Sequence, residues 1–172
     1  MVKQIVSKTT GEVEENPIIK RDRVISSVLE PILEECSPLY HWNTMDADKG
    51  TPIACENLGY EGRAAAIGKG TGLEFRFGSC PTDSIEIEVR LLPNHPVTDD
   101  GRLRFSVALD NCAPQVVSYH TKEEWKENVL GNQAIKKIVL PISSKKKHKI
   151  NIQALDEGVI LDQILLYSIS NL

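Results

Sequence analysis

The chain of 172 residues has few aromatic residues, few cysteines and no long apolar run. No apolar stretch approaches the ~20 residues that a membrane-spanning helix needs, which argues against such a segment. Lysine and arginine number 20 against 24 acidic residues, and a net charge of −4 argues against the broad basic surface of a nucleic-acid binder. Aromatic residues make up only 5% of the chain, so the position of each tryptophan and tyrosine carries information.

The cysteines are spaced too widely for a metal site. Cys36, Cys55, Cys80 and Cys112 form no CxxC pair and no cluster with histidine, so we expect no zinc site and no other cofactor. Four cysteines are compatible with two disulfides, but a domain of this length folds without them. We therefore favour free or partly buried thiols.

The N-terminal part of the chain differs from the rest. Residues 1–20 show no sustained periodicity, and we interpret residues 1–37 as a linker followed by a helical arm. Apolar residues recur on one helical face over 22–36, although Pro31 should stop or bend this helix. That apolar face predicts that the arm packs on a sheet, either its own domain's or a neighbour's. Residues 1–7 do not resemble a signal peptide, which leaves two alternatives: a cytosolic protein, or a piece of a longer exported chain, periplasmic or secreted.

Beyond residue 60 the hydrophobic period is two, which is typical of strands with one buried face. The clearest runs are 73–77, 85–91 and 103–109, and further candidates are 64–67, 115–120, 134–142, 147–154 and 160–169. Residues 121–130 predict one or two helical turns, with Thr121 as N-cap. About eight strands separated by turns predict an all-β, antiparallel β-sandwich over residues 38–172, with a short helix near Trp125.

No catalytic motif is evident. The chain has no P-loop, no GxSxG and no HExxH, and its histidines have no carboxylate or nucleophile near them in sequence. Glycoside hydrolysis needs two carboxylates on opposite sides of the scissile bond, and the sequence does not show which pair converges. Glu86 and Glu88 are predicted to lie on the solvent face of a strand as ordinary surface charge.

Two aromatic residues stand in polar surroundings, Trp42 in YHWN and Tyr60 in ENLGYEGR. Rings beside Asn, Glu and Arg are typical of sugar sites, because sugar C–H groups stack on the ring while polar groups hold the hydroxyls. Arg63 adds a planar guanidinium that matches the carboxylate of a uronic acid. We predict a carbohydrate site at these three residues; the alternative is that each ring covers the edge of the core.

Several segments resemble the C-terminal domain of glycoside hydrolase family 115, the α-glucuronidases that act on glucuronoxylan. GRLRFSVALD (101–110) resembles that domain's GLRFAVSFD strand, and APQVV (113–117) resembles its PQVV segment. The strongest match is LDEGVILDQIL (155–165), which resembles a DPGVVLDKIVI-like ending. The likeness covers residues 42–168 in the family's order and spacing. The acidic EAEH-like strand that precedes the tryptophan in the family is missing, and residues 22–36 occupy its place.

The resemblance implies a β-sandwich similar to carbohydrate-binding modules, which in the family follows the catalytic domains. It therefore implies a non-catalytic accessory domain of an α-glucuronidase-like enzyme. Its expected partners are uronic-acid-bearing xylan, the catalytic domains of the parent chain, or a second copy in a homodimer. In the last turn and strand, Asp156 and Gly158 are expected to make the turn and Asp162 to hydrogen-bond a neighbouring loop. The alternative is an independent small carbohydrate-active hydrolase with an unrecognised carboxylate pair.

Overall fold

Ten strands and two short helices form the part of the chain that the computed structural model describes, residues 37–119, 123–144 and 146–169. In chain order these elements are β1 (Tyr40–Asn43), a 3-10 helix (Thr44–Asp46), β2 (Ile53–Glu56), β3 (Arg63–Ile67), β4 (Gly72–Phe77), β5 (Ser84–Leu91), β6 (Leu103–Leu109), β7 (Gln115–Tyr119), α1 (Trp125–Leu130), β8 (Ala134–Pro141), β9 (His148–Ala154) and β10 (Val159–Ser168). The proposed helical arm over 22–36 lies outside the described residues, so its packing on a sheet stays a prediction.

The strands pair into two antiparallel sheets. One sheet has the order β4-β9-β6-β7. The other has the order β2-β3-β10-β5-β8, with β1 paired to β10 as its sixth strand. This arrangement confirms the predicted antiparallel β-sandwich, and α1 confirms the short helix near Trp125.

The period-two runs supply the core. Leu73, Phe75 and Phe77 of β4 are buried, whereas Arg76 between them is exposed. β5 and β6 contribute the same inward-facing alternation, so apolar side chains from both sheets meet in one cluster. Burying each large aliphatic or aromatic side chain contributes about 1.5–3 kcal/mol, which makes this cluster the main source of stability.

Hydrophobic periodicity does not predict two of the strands, β1 and β2, because they form by pairing with another strand and not from a local pattern. β2 contains no buried residue, and it exists by pairing with β3, where Ile53 lies opposite Ala66. β1 is four residues long and pairs with the second half of β10, where Trp42 lies opposite Ile164.

The predicted N-cap of the helix is wrong. Helix α1 begins at Trp125, and its N-cap is Glu124, which makes no side-chain cap hydrogen bond. Thr121 lies outside the described residues. The Glu124 carboxylate pairs instead with the ammonium group of Lys136 on β8, so an ion pair to the neighbouring strand replaces the capping box.

The β9–β10 turn is fixed by a buried carboxylate. Asp156 is 2% exposed and accepts hydrogen bonds from the backbone N–H of Arg104 at 2.9 Å and from its guanidinium Nε and Nη2, each at 2.8 Å. Gly158 takes a left-handed φ of +94°, and its carbonyl accepts a 3.0 Å hydrogen bond from the Asn94 side chain. The Arg104 guanidinium lowers the pKa of Asp156, because its hydrogen bonds favour the charged carboxylate.

The Asp156 pair predicts a pH-dependent loss of stability. The lowered pKa contributes stability above the unfolded value of about 3.9, and this contribution is lost as the pH falls through the folded pKa. D156N should therefore lower the free energy of unfolding by about 1.5–3 kcal/mol at pH 7. The difference in the free energy of unfolding between D156N and the unmutated chain should shrink near pH 3, as measured by urea unfolding. D99N, which changes an exposed loop carboxylate, is the control; an equal loss from D156N at both pH values contradicts the assignment.

Candidate functional site

The β2–β3 loop (residues 57–62) is tied to the centre of the six-stranded sheet by the carboxylate of Asp162. Asp162 lies at a β-bulge of β10, where the register with β5 shifts between Leu161 and Gln163. A bulge re-aims a side chain out of the ordinary alternation of a strand. Both Asp162 oxygens accept a hydrogen bond from the backbone N–H of Tyr60, each at 3.1 Å. The loop that carries Tyr60 is therefore anchored to the longest strand of the sheet.

Thr44 makes a second set of contacts with the bulge. The hydroxyl of Thr44, in the 3-10 helix, donates to the carbonyls of Leu161 at 2.6 Å and Asp162 at 3.0 Å. Thr44 is fully buried, so its hydroxyl ties the 3-10 helix to the backbone of the bulge. The bulge thus joins the 3-10 helix, the β2–β3 loop and β10 in one place.

Gly59 permits the loop to approach Asp162 this closely. Its φ is +81°, and a Cβ added there would lie 2.3 Å from Oδ1 of Asp162. Gly62 in the same loop has φ of +71°, but a Cβ there would meet nothing within 4 Å. Gly59 is therefore required for both its backbone angle and its lack of a side chain, whereas Gly62 is required for its angle alone.

The electrostatic state of Asp162 differs from that of Asp156. Asp162 is 2% exposed, and this burial raises its pKa, while the hydrogen bond from Tyr60 opposes the shift. Ionising Asp162 in the fold therefore costs stability as the pH rises, the opposite sign to Asp156. Because both of its oxygens face the backbone of the loop, we assign Asp162 to positioning the loop.

Tyr60 and Arg63 lie together at the surface. The Tyr60 side chain is 75% exposed, on the loop that Asp162 holds. Arg63 begins β3, and its guanidinium pairs with Asp46 of the 3-10 helix at 3.2 Å and with Glu61 at 3.9 Å. Exposed pairs of this kind contribute about 0–1 kcal/mol, so a ligand carboxylate can compete for the guanidinium at little cost.

Trp42 occupies a different environment. Its ring stacks on Tyr40 at 5.6 Å and packs against Phe75 and Phe77 at 5.9 and 6.1 Å between ring centroids. The ring is partly buried at the edge of the core cluster. The amide of the next residue, Asn43, donates to the carbonyl of Arg63 at 3.2 Å, so Trp42 and Arg63 sit on strands linked at this point.

The carboxylates of β5 are not ordinary surface charge, which corrects the expectation for Glu88. Glu88 is only 5% exposed, because β5 lies inside the sheet between β10 and β8. Its oxygens pair with Arg90 at 2.7 Å and Lys137 at 3.4 Å, and Lys137 also pairs with Glu86 at 2.9 Å. Two cations thus balance two carboxylates on this face.

One pair was missed by the sequence analysis. The ring Nδ1 of His148 lies 3.0 Å from Oδ2 of Asp110, although the two residues are 38 positions apart. No local pattern links them, because the contact depends on β9 pairing with β6. Asp110 also has a left-handed φ of +53°, which is unusual for a non-glycine residue and is only visible in the structure.

The positions of the described histidine, cysteine and acidic side chains decide whether this part of the chain can bind a metal or form a disulfide. Within these ranges no group of three histidine, cysteine or acidic side chains could hold a metal ion. Cys55, Cys80 and Cys112 are free thiols in the structure, while Cys36 lies outside the described ranges. Burial raises the pKa of the Cys80 thiol. No helix in the described part of the chain is long and apolar enough to cross a membrane.

Comparison with known proteins shows the family of the chain. Residues 49–169 match the model of the glycosyl hydrolase family 115 C-terminal domain. A solved family GH115 4-O-methyl-α-glucuronidase, BtGH115A, with specificity for decorated arabinogalactans, is 56% identical, with a TM-score of 0.74 over 78% of this chain and 18% of that chain. The present chain therefore spans about a fifth of the length of that enzyme. No curated protein sequence matches the chain.

More distant structures share the fold alone. A family 35 carbohydrate-binding module from Clostridium thermocellum is 12% identical, with a TM-score of 0.58 over 76% of this chain and 99% of that chain. An exo-β-1,3-galactanase from Phanerochaete chrysosporium is 15% identical, with a TM-score of 0.58 over 74% of this chain and 29% of that chain. Identities this low support no transfer of ligand or activity.

The two loop glycines provide a matched test of the anchor. G59A should destabilise the loop by about 1–3 kcal/mol, because the new methyl group meets the Asp162 carboxylate and the backbone angle is strained. G62A should cost only about 1–2 kcal/mol, the price of the left-handed angle. Hydrogen exchange of the Tyr60 amide should rise strongly in G59A and less in G62A. Equal protection of this amide in the two variants would contradict the anchoring role of Asp162.

Proposed function

Because the chain belongs to the glycosyl hydrolase family 115 C-terminal domain family, we propose that it is a non-catalytic accessory domain that binds carbohydrate. The observation that carries the proposal is an exposed aromatic ring on an anchored loop. The Tyr60 side chain is 75% exposed, while its backbone is held by the buried Asp162. Because the loop is already ordered, this ring can stack on a sugar without the loss of conformational entropy that ordering a loop would require.

Arg63 extends the proposal to uronic acids. Its guanidinium already forms ion pairs with the carboxylates of Asp46 and Glu61, and both of those pairs are exposed. A uronic acid carboxylate offers the same planar geometry and can replace them. The relative BtGH115A is described as a 4-O-methyl-α-glucuronidase with specificity for decorated arabinogalactans, which supports a ligand that carries a uronic acid.

Trp42 has a mixed role in this proposal. Three ring contacts tie it to the core, so it supports β1, and its ring is only partly buried, which leaves an edge for contact with a sugar. W42F keeps an aromatic ring in the core and removes the indole N–H, a hydrogen-bond donor to sugar hydroxyls. It therefore separates the sugar contact from the packing role.

Binding should depend on Tyr60 more than on its apolar neighbour. Y60A should weaken binding of glucuronoxylan fragments about tenfold, the equivalent of ~1.4 kcal/mol, with little change in unfolding temperature. L58A is the matched control, since Leu58 is 51% exposed in the same loop. Isothermal titration calorimetry with aldouronic oligosaccharides measures both variants. Unchanged affinity in Y60A, or an equal loss in L58A, would sink the assignment of the site.

The non-catalytic role rests on the state of the carboxylates. Asp162 is occupied by the loop backbone, Asp156 by Arg104, and Glu86 and Glu88 by cations. A glycosidase requires one carboxyl group as acid and one as base or nucleophile, both open to substrate. The rival hypothesis of a small independent hydrolase needs two carboxyl groups open to substrate, and these four do not supply such a pair.

The chain by itself should therefore hydrolyse nothing. Incubation of the purified chain with aldouronic oligosaccharides should release no free glucuronic acid above the level of a buffer blank, as measured by anion-exchange chromatography. The hydrolase hypothesis would be favoured if glucuronic acid were released, if this release disappeared in E88Q, and if it persisted in the surface variant E127Q.

A packing role is the second candidate function. Leu130 of α1 is 77% exposed, and Ile135 and Val139 of β8 are 46% and 55% exposed. β8 ends the order of its sheet, so these side chains lie beside a strand edge. Apolar side chains at an edge favour contact with another surface. We propose the catalytic domains of a parent chain as that surface, with a second copy of this domain as the alternative.

A further inference from the structure

An open pocket of about 340 Å³ lies on the four-stranded sheet, away from the elements that carry Tyr60. It is lined by Arg76 of β4, Asp110 and Asn111 after β6, and Lys147, His148 and Lys149 at the start of β9. Pockets of about 300–1,000 Å³ accommodate small ligands. His148, the first residue of β9, lines this pocket.

Asp110 builds the frame of the pocket. Its backbone N–H donates to the carbonyl of Lys149 at 2.8 Å, and its Oδ1 accepts from the Lys149 N–H at 3.1 Å. Its Oδ2 lies 3.0 Å from Nδ1 of His148, a residue that is 3% exposed and whose ring stacks on Phe77 at 5.2 Å. These bonds fix the position of the Asp110 carboxylate, so this wall of the pocket is formed before a ligand binds.

Three of the other lining side chains, Arg76, Lys147 and Lys149, are cationic. Arg76 and Lys149 are direct cross-strand partners in the β4–β9 pairing, an arrangement that is unfavourable for like charges. Glu74 relieves it only in part, because its carboxylate pairs with Arg76 at 2.8 Å and with Lys49 at 3.7 Å. Among the described residues neither Lys147 nor Lys149 forms an ion pair. Three cationic side chains, Arg76, Lys147 and Lys149, therefore line the pocket beside one carboxylate, that of Asp110.

We propose that this pocket binds the carboxylate of a uronic acid residue in a saccharide. The two ammonium groups and the Arg76 guanidinium supply charge-assisted donors for a carboxylate. The Asn111 amide supplies both a donor and an acceptor for the hydroxyls of the same sugar. The inference rests on the proposed carbohydrate-binding function, but it uses a different sheet and different residues from the Tyr60 surface.

Amide chemical shifts of the full 172-residue chain provide the test. D-glucuronate should shift the amides of Asn111, Lys147 and Lys149 in a saturable way, and D-glucose, which lacks the carboxylate, should not. The double variant K147Q/K149Q should weaken this binding at least tenfold. K126Q, which removes an exposed charge on α1, should leave the affinity unchanged. Because the contact is ionic, the affinity should also fall as the salt concentration rises.

Three results would overturn the proposal. The first is that glucuronate leaves these amides unmoved at the highest concentration tested, and the second is that glucose moves them equally. Either outcome shows that the pocket does not recognise the carboxylate. If acetate or glucose-6-sulfate shifts them as strongly as glucuronate, the pocket is a general anion site. The proposed function fails separately: aldouronic oligosaccharides that leave both the Tyr60 loop and this pocket unshifted contradict carbohydrate binding itself, whereas shifts confined to the Tyr60 loop contradict the pocket alone.

Discussion

The arrangement around Tyr60 depends on one buried carboxylate. Asp162 leaves the regular ladder of β10 at the bulge, and its two oxygens accept the backbone N–H of the β2–β3 loop. The Thr44 hydroxyl donates to the carbonyls of Leu161 and Asp162 at the same bulge. Without this carboxylate the loop would connect two strands with no tie to the centre of the sheet. Gly59 allows the loop to come this close, because the space beside the carboxylate admits no Cβ.

Two buried aspartates six residues apart show how environment decides the role of a carboxyl group. Asp156 faces a guanidinium that lowers its pKa, so it contributes stability as an anion. Asp162 faces mainly backbone, and burial raises its pKa, so it organises the loop at an electrostatic cost. In both cases every oxygen that points inward has a donor, which is the condition under which a carboxylate is tolerated in a core. Neither is open to a substrate.

Membership in the family 115 C-terminal domain family accounts for the sandwich, and the local chemistry adds two candidate contacts for sugar. The Tyr60 surface combines a ring with a guanidinium whose present partners are exposed. The basic pocket combines three cations with a frame that Asp110 and His148 hold in place. They lie on elements of different sheets, so each can be altered without touching the other.

The sequence by itself determined the strands with a buried face, because alternation such as Leu73, Phe75 and Phe77 is a local property that survives into the fold. It also determined the turns, and the resemblance in residues 155–165 identified the family. Only the tertiary structure decided β2, which has no buried residue and forms by pairing with β3. It likewise decided that Glu88 lies beneath Arg90 and Lys137, and that Asp110 meets His148. These are contacts between residues distant in sequence, and pairing across a sheet leaves no periodic trace in the chain that predicts them.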